Sequence, residues 1–184
     1  LLGGVTVDLE NGKILILDGV TKAAHIFDGY TGTCRKLSAI MTEARSNAYS
    51  KTAKGNQNVY QTKTFTATLL ADKNTVLITG GLIGGFPAMA TSATAEIFDI
   101  SKETFTKIAD MPISRTNHTA TLLIDGTVLI CGGYYVKSGG LNIYNNLMAS
   151  PSIIFNLNTK QFSTLPAGQT DMITPRWGHT ATKI

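Results

Sequence analysis

Charge is scarce in this chain: Asp, Glu, Lys and Arg make up only 15% of its 184 residues. The 16 basic residues exceed the 12 acidic ones by four, and they are too few and too scattered for a nucleic-acid surface. The acids are equally dispersed, and no paired carboxylates or nucleophile–base arrangement emerges. Cysteine occurs twice and histidine three times. Without a Cys-x-x-Cys or Cys/His cluster, nothing in their spacing calls for a metal or another cofactor. Cys34 and Cys131 instead read as two buried thiols behaving as small apolar residues. No apolar run is long enough for a membrane-spanning helix, and no leader-like segment is visible. No stretch holds a helical period over three turns, which leaves an all-β chain.

What the chain does have is one phrase written repeatedly. Its fullest copy runs Arg115-Thr-Asn-His118-Thr-Ala-Thr-Leu-Leu-Ile-Asp-Gly-Thr-Val-Leu-Ile-Cys-Gly132-Gly133, followed later by Ile153-Ile-Phe155-Asn and Phe162-Ser-Thr-Leu165. A second copy has Phe65-Thr-Ala-Thr-Leu-Leu, Thr-Val-Leu-Ile-Thr-Gly80-Gly81, Glu96-Ile-Phe98-Asp and Phe105-Thr-Lys-Ile108. A more divergent copy has Gly12-Lys-Ile-Leu-Ile-Leu-Asp18-Gly19, His25-Ile-Phe27-Asp28 and Lys36-Leu37, and another begins at Arg176-Trp-Gly-His179-Thr-Ala-Thr. Each copy reads as four short β-branched strands punctuated by Asp, Asn and Gly turns. The diglycine closes the second strand, where a side chain would block a neighbouring backbone. The units fall at approximately residues 3–45, 65–114 and 118–175, with the first strand of another at 176–184.

Four-stranded units of roughly 50 residues match a β-propeller blade. The phrase Arg-x-x-His-Thr-Ala-Thr-Leu-Leu, with its diglycine and the downstream Glu-Ile-Phe-Asp, resembles the kelch repeats of bacterial and galactose-oxidase-like proteins, from about Val5 to Ile184. The resemblance implies a kelch-type β-propeller of about three blades plus one strand. Such a partial ring is short of the 4–8 blades that propellers have. The remainder is expected from further sequence or from a second chain. Kelch propellers host both enzymes and binding modules, so fold alone does not select a function.

In a four-stranded antiparallel blade the 1–2 and 3–4 turns share one face, and the 2–3 loops and 4–1 connections share the other. Every long insertion here (46–64, 82–94 and 134–150) opens on the second face, where binding is expected. Lys51, Lys54, Lys63 and Lys137 place the chain's positive excess there, among Tyr49, Tyr60, Phe86, Tyr134, Tyr135, Tyr144 and Trp177. That mixture suits an anionic or glycan ligand; an ordinary solvated surface is the alternative. Arg45, Arg115 and Arg176 recur on the entry to the innermost strand. In kelch interaction domains, arginines at this position resemble those that hold acidic groups. Their other reading is architectural, tying each connection to backbone carbonyls.

The expected ligand-binding set is therefore Arg45, Arg115, Arg176, Tyr134, Tyr135 and Trp177, for a protein segment or a glycan. Trp177 has inter-blade packing as its alternative. His118 and His179 read as packing residues, since Phe65 takes the third equivalent place. Glu96 reads as a partner of neighbouring backbone rather than a catalytic acid. The Asn117-His-Thr sequon enters an inner strand and is set aside. A copper radical oxidase would need a Tyr-His dipeptide and a crosslinked Tyr–Cys pair, which this chain does not show. Three functions remain: a binding module, the propeller of a carbohydrate-active enzyme (oxidase- or mutarotase-like) with catalytic residues partly elsewhere, and an architectural module of a surface assembly. Few charges with many Thr, Gly and Asn suit an extracellular or cell-surface protein.

Overall fold

The computed structural model describes residues 4–45, 64–84, 90–136, 146–148, 151–165 and 172–183. Among these residues there is no helix, so none is present that is long and apolar enough to cross a membrane. The chain is all-β, with every paired strand antiparallel.

Three four-stranded sheets follow one another. Sheet 1 comprises β1 (Gly4–Asp8), β2 (Lys13–Asp18), β3 (Ala23–Asp28) and β4 (Thr33–Ile40) in that order. Sheet 2 comprises β5 (Thr66–Leu69), β6 (Thr75–Thr79), β9 (Ala95–Asp99) and β10 (Thr104–Lys107). Sheet 3 comprises β11 (Thr119–Leu122), β12 (Val128–Cys131), β15 (Ile153–Asn156) and β16 (Gln161–Thr164). Each second-to-third connection of sheets 2 and 3 carries a further two-stranded hairpin. These are β7 (Leu82–Ile83) with β8 (Ala90–Thr91), and β13 (Tyr134–Val136) with β14 (Asn146–Met148).

The turns form as their residues dictate. Asp8, Asp72 and Asp125 each accept a backbone N–H two residues on, closing the first turn of their sheets. Asp28 and Asn156 do the same in the outer turns, where Asp99 accepts from Lys102 N–H three residues on. Short polar side chains supply a local acceptor that a longer side chain cannot hold in place.

β5 lies beside both β1 and β11, so the first strands of the three sheets are neighbours, and β4 meets β10 at the outer side. This side-by-side stacking is propeller-like. Two apolar layers result. Leu9, Leu15, Leu17 and Leu37 of sheet 1 pack on Val76, Ile78 and Phe98 of sheet 2. Leu70 and Leu77 of sheet 2 pack on Val128, Ile130 and Phe155 of sheet 3. Alternation divides the apolar residues of sheet 2 between the two junctions. Exposed ion pairs span the first junction at its rim, Arg35 with Glu103 and Lys73 with Glu10; at such exposure they add little to stability.

The two cysteines depart from the buried thiols expected of them. Cys34 is exposed and Cys131 only half-buried. Cys34 pairs with Phe27 as Phe105 pairs with Phe98, yet on a face of sheet 1 that carries no packed neighbour among the described residues. A slot that is interior in sheet 2 is therefore surface in sheet 1.

Candidate functional site: the long-loop face and its arginine register

The face that carries the long connections is organised around the diglycines. Gly80 and Gly81 both have positive φ, 65° and 118°. A Cβ on Gly80 would lie 2.4 Å from the Arg115 carbonyl oxygen, and one on Gly81 would lie 2.5 Å from that of Arg45. The pair is thus held between the entry segment of its own sheet and that of the next. Gly81 donates to Arg115 O at 3.0 Å and Leu82 to Arg45 O at 3.0 Å. Gly132 and Gly133 repeat the arrangement. Gly133 donates to Arg176 O at 2.9 Å, and Tyr134 exchanges two backbone bonds with Thr116.

Arg45 is fully buried. Its Nε donates to Glu96 Oε1 at 3.0 Å, and Nη1 donates to the carbonyls of Gly80 at 2.8 Å and Thr94 at 3.1 Å. Nη2 sits 3.0 Å from the same Glu96 oxygen as a charge contact without hydrogen-bond geometry. Glu96 Oε2 accepts from the Thr42 backbone N–H at 2.8 Å. Glu96 therefore bonds neighbouring backbone, as the sequence suggested, and neutralises a cation as well. Arg115 is also fully buried and donates to Gly132 O at 3.1 Å and Pro151 O at 3.0 Å. Neither guanidinium faces solvent, and both bond backbone carbonyls, the architectural arrangement given above as the alternative to ligand binding. A planar fork of donors matches the converging carbonyls at the end of the second strand, and burial makes those bonds strong. Arg176, in contrast, is exposed, with Nε donating to Thr174 O at 3.3 Å.

A methionine four residues upstream accompanies each arginine, a signal present in the sequence but not singled out above. Met41 and Met111 are buried, and their N–H groups donate to Lys22 O and Ala93 O. Met172 is half-buried with its methyl against Gly132. Glu43, in the same connection, accepts from Ser92 Oγ at 2.6 Å and from Thr94 Oγ1, fastening the entry of sheet 2 to the end of its hairpin.

His118 is a junction residue, in line with its reading as packing. Its Nε2 lies 3.0 Å from both Thr66 Oγ1 and Thr79 Oγ1 of sheet 2, while those hydroxyls are 2.8 Å apart. His179 Nε2 repeats the contact at 3.2 Å to Thr119 Oγ1 of sheet 3. Phe65, the apolar occupant of the same place, is buried in the first apolar layer. Burial first, then the nearby Arg115 and Arg45 cations, push the His118 imidazole down to about 3. The unfolded chain takes up a proton below the ordinary value of 6.5 and the folded one does not. Stability is therefore complete above that value. It falls by about 1.4 kcal/mol per pH unit until the folded imidazole titrates. His118→Phe should remove this slope between pH 6 and pH 4, relative to the unaltered chain, in urea-unfolding titrations. Parallel pH curves for the two proteins would show that His118 is protonated in the fold.

The expected aromatic set divides. Tyr134 and Tyr135 belong to strand β13 rather than to an irregular loop. Tyr134 is buried and half-buried Tyr135 follows it. Tyr134 supports Trp177 edge-on, with ring centroids 5.6 Å apart at 75°. Trp177 as a whole keeps 55% of its surface exposed. Lys51, Lys54, Lys63, Lys137, Tyr49, Tyr60, Phe86 and Tyr144 lie outside the described residues.

No protein-family model and no curated protein matches the sequence. Among solved structures, the chain is similar to a fungal alcohol oxidase of the AA5 family, solved in complex with copper. The TM-score is 0.67 at 15% identity. The alignment covers 95% of this chain and 32% of that one, so this chain spans about a third of its structural relative. At that identity the likeness concerns the fold. Among the described residues no three His, Cys, Asp or Glu side chains come together, and the imidazole of His118 is enclosed by two threonine hydroxyls.

Proposed function

We propose that this chain is part of a kelch-type β-propeller that binds a glycan or a protein segment through its long-loop face, in an extracellular or cell-surface setting. The observation that carries the reading is Trp177. Its open indole is buttressed by buried Tyr134 on the face where the β13–β14 hairpin arises. A large rigid aromatic surface with one side held and one side free suits stacking on a sugar ring or an apolar peptide side chain. Arg45 and Arg115 serve this reading indirectly, by fixing the ends of the hairpins.

Screening the chain on a glycan and acidic-peptide array tests the proposal. The expected result is one ligand class whose binding weakens at least roughly tenfold in Trp177→Ala, with the melting temperature unchanged. No ligand of either class, or a ligand indifferent to Trp177, would remove the reading. The likeness to the copper-containing oxidase favours a second reading, in which the chain belongs to a carbohydrate-active enzyme with catalytic residues outside this segment. Copper uptake with hydrogen peroxide release on a primary alcohol, by a protein containing this chain, would select it.

A further inference from the structure

The first turns of the three sheets are closed alike. Leu9 N–H donates to Lys13 O at 2.9 Å, Leu70 to Thr75 O at 2.8 Å and Leu123 to Thr127 O at 2.8 Å. Inside each turn a short side chain accepts the N–H that begins the second strand. Asp72 takes Thr75 N–H at 2.9 Å, and Asp125 takes Thr127 N–H at 3.0 Å. In sheet 1 that place belongs to Asn11, whose Oδ1 accepts Lys13 N–H at 3.2 Å. The chain thus carries an amide where its other two turns carry a carboxylate, and the next residue is Gly12.

Asn11 and Gly12 are both exposed. Gly12 N–H has no acceptor among the described residues. Its carbonyl, in contrast, accepts Gly29 N–H at 2.8 Å, which fastens the inner turn to the outer turn of the sheet. The Tyr30 ring fills the space that a Cβ on Gly12 would need. The backbone nitrogen beside the Asn11 amide is therefore unpaired, and no side chain of its own residue shields it. Lys13 N–H draws electron density from the Asn11 amide carbon through Oδ1. It stands where negative charge would develop on that oxygen during addition.

We propose that Asn11–Gly12 is a site of spontaneous covalent modification in the folded chain. Gly12 N gives its proton to water and bonds Asn11 Cγ. The Cγ–Nδ2 bond then breaks, and the amide nitrogen takes up a proton and leaves as ammonia. The cyclic imide so formed joins Gly12 N to both carbonyl carbons of residue 11. Water cleaves one of these two bonds. Cleavage at Cγ gives aspartate; cleavage at the main-chain carbonyl gives isoaspartate, whose backbone runs through Cγ. The two products differ in fit. Aspartate reproduces Asp72 and Asp125 and keeps the acceptor for Lys13 N–H. Isoaspartate lengthens the backbone between Leu9 and Lys13 and moves the Gly12 carbonyl away from Gly29. Glu10, next in the turn, is paired with Lys73 of sheet 2, so the displacement reaches the first junction. The turn lies on the face opposite the long connections, and its chemistry is independent of ligand binding at Trp177.

The test keeps the folded chain at 37 °C and neutral pH. Peptide mapping by mass spectrometry and enzymatic methylation of isoaspartate then locate the products. Misplacing reacting atoms by about 1 Å costs on the order of a hundredfold in rate. Asn74 and Asn158 are each followed by a threonine, whose branched Cβ crowds its own nitrogen. Asn11 should convert at least about tenfold faster than either, giving both products. Asn11→Gln should suppress the conversion, since the ring would need one more atom. Asn11→Asp should melt with the fresh chain, whereas the isoaspartyl fraction of the aged chain should melt lower. Conversion no faster than at Asn74 and Asn158, or Asn11 intact in the folded chain but converted in urea, overturns the proposal. An isoaspartyl fraction that melts with the fresh chain overturns the difference in fit.

Discussion

Gly81→Ala should leave the protein largely unfolded at room temperature. Two independent penalties coincide at this position. The backbone φ of 118° lies where L-residues are rarely found, and the added Cβ would sit 2.5 Å from the Arg45 carbonyl oxygen and 2.9 Å from Arg45 Cβ. The obstacle is backbone, so no side-chain rotation relieves it. Strain of this backbone type alone costs about 1–3 kcal/mol. Separating Gly81 from Arg45 would also break the bonds from Leu82 to Arg45 O and from Gly81 to Arg115 O. Those bonds hold two successive sheets, and the loss falls on a fold whose total stability is about 5–15 kcal/mol. Gly32→Ala is the matched control. Its φ of 69° is also positive, but a Cβ there meets nothing within 4 Å. Far-ultraviolet circular dichroism with thermal melts should show a cooperative transition for Gly32→Ala and none, or a much lower one, for Gly81→Ala. A Gly81→Ala protein melting within a few degrees of Gly32→Ala would mean that the entry segments are not held at the diglycine.

Much of this architecture is legible in the sequence because it is encoded locally. Thr-Ala-Thr-Leu alternates with the period of a strand, Thr-Val-Leu-Ile and Glu-Ile-Phe-Asp are short runs rich in β-branched and aromatic residues, and the intervening Asp, Asn and Gly close their own turns. The pairing of Ile78 with Glu96 and Ile130 with Ile153 follows from aligning the copies. The diglycine's need for close approach is readable in the same way, since only glycine tolerates a carbonyl where Cβ would be.

What local patterning does not carry is the identity of a distant partner. Arg45, Arg115 and Arg176 are equivalent letters, but the first two are enclosed by carbonyls of their own sheets and the third is not. Glu96 is far from Arg45 in sequence, and Ile153 takes its place in sheet 3, so no repeat-wide pattern couples them. Cys34 failed as a buried residue for a related reason. Burial of one sheet face is a property of the neighbouring sheet, and strand alternation is silent about it. The hairpins β7–β8 and β13–β14 lie in segments that read as loops, because two- and three-residue strands are too short to show a period. The methionine that precedes each arginine was available in the sequence and marks the connection as fully as the arginine does.

The larger energetic consequence of the register lies in Arg45. Arg45→Ala would leave the Glu96 carboxylate buried without its cation, and would strip the Gly80 and Thr94 carbonyls of a donor. Removing one member of a buried pair costs about 3–5 kcal/mol, because the remaining charge stays desolvated. Arg176→Ala deletes an exposed side chain whose bond is to Thr174 O, two residues away. Exposed substitutions of that kind stay within about 0.5 kcal/mol. Replacing Arg45 by methionine together with Glu96 by leucine should recover much of the loss, since an apolar pair of similar volume carries no charge to desolvate.

The central claim is that buried Arg45 fastens the entry segment of sheet 2 to that sheet's second-to-third connection, whereas exposed Arg176 holds nothing. Urea unfolding of the Arg45→Ala and Arg176→Ala chains, at neutral pH and with equal transition slopes, measures it directly. The account predicts a loss of about 3–5 kcal/mol for Arg45→Ala and less than about 0.5 kcal/mol for Arg176→Ala. Equal losses at the two positions, or an Arg45→Ala chain as stable as the unaltered one, would contradict it.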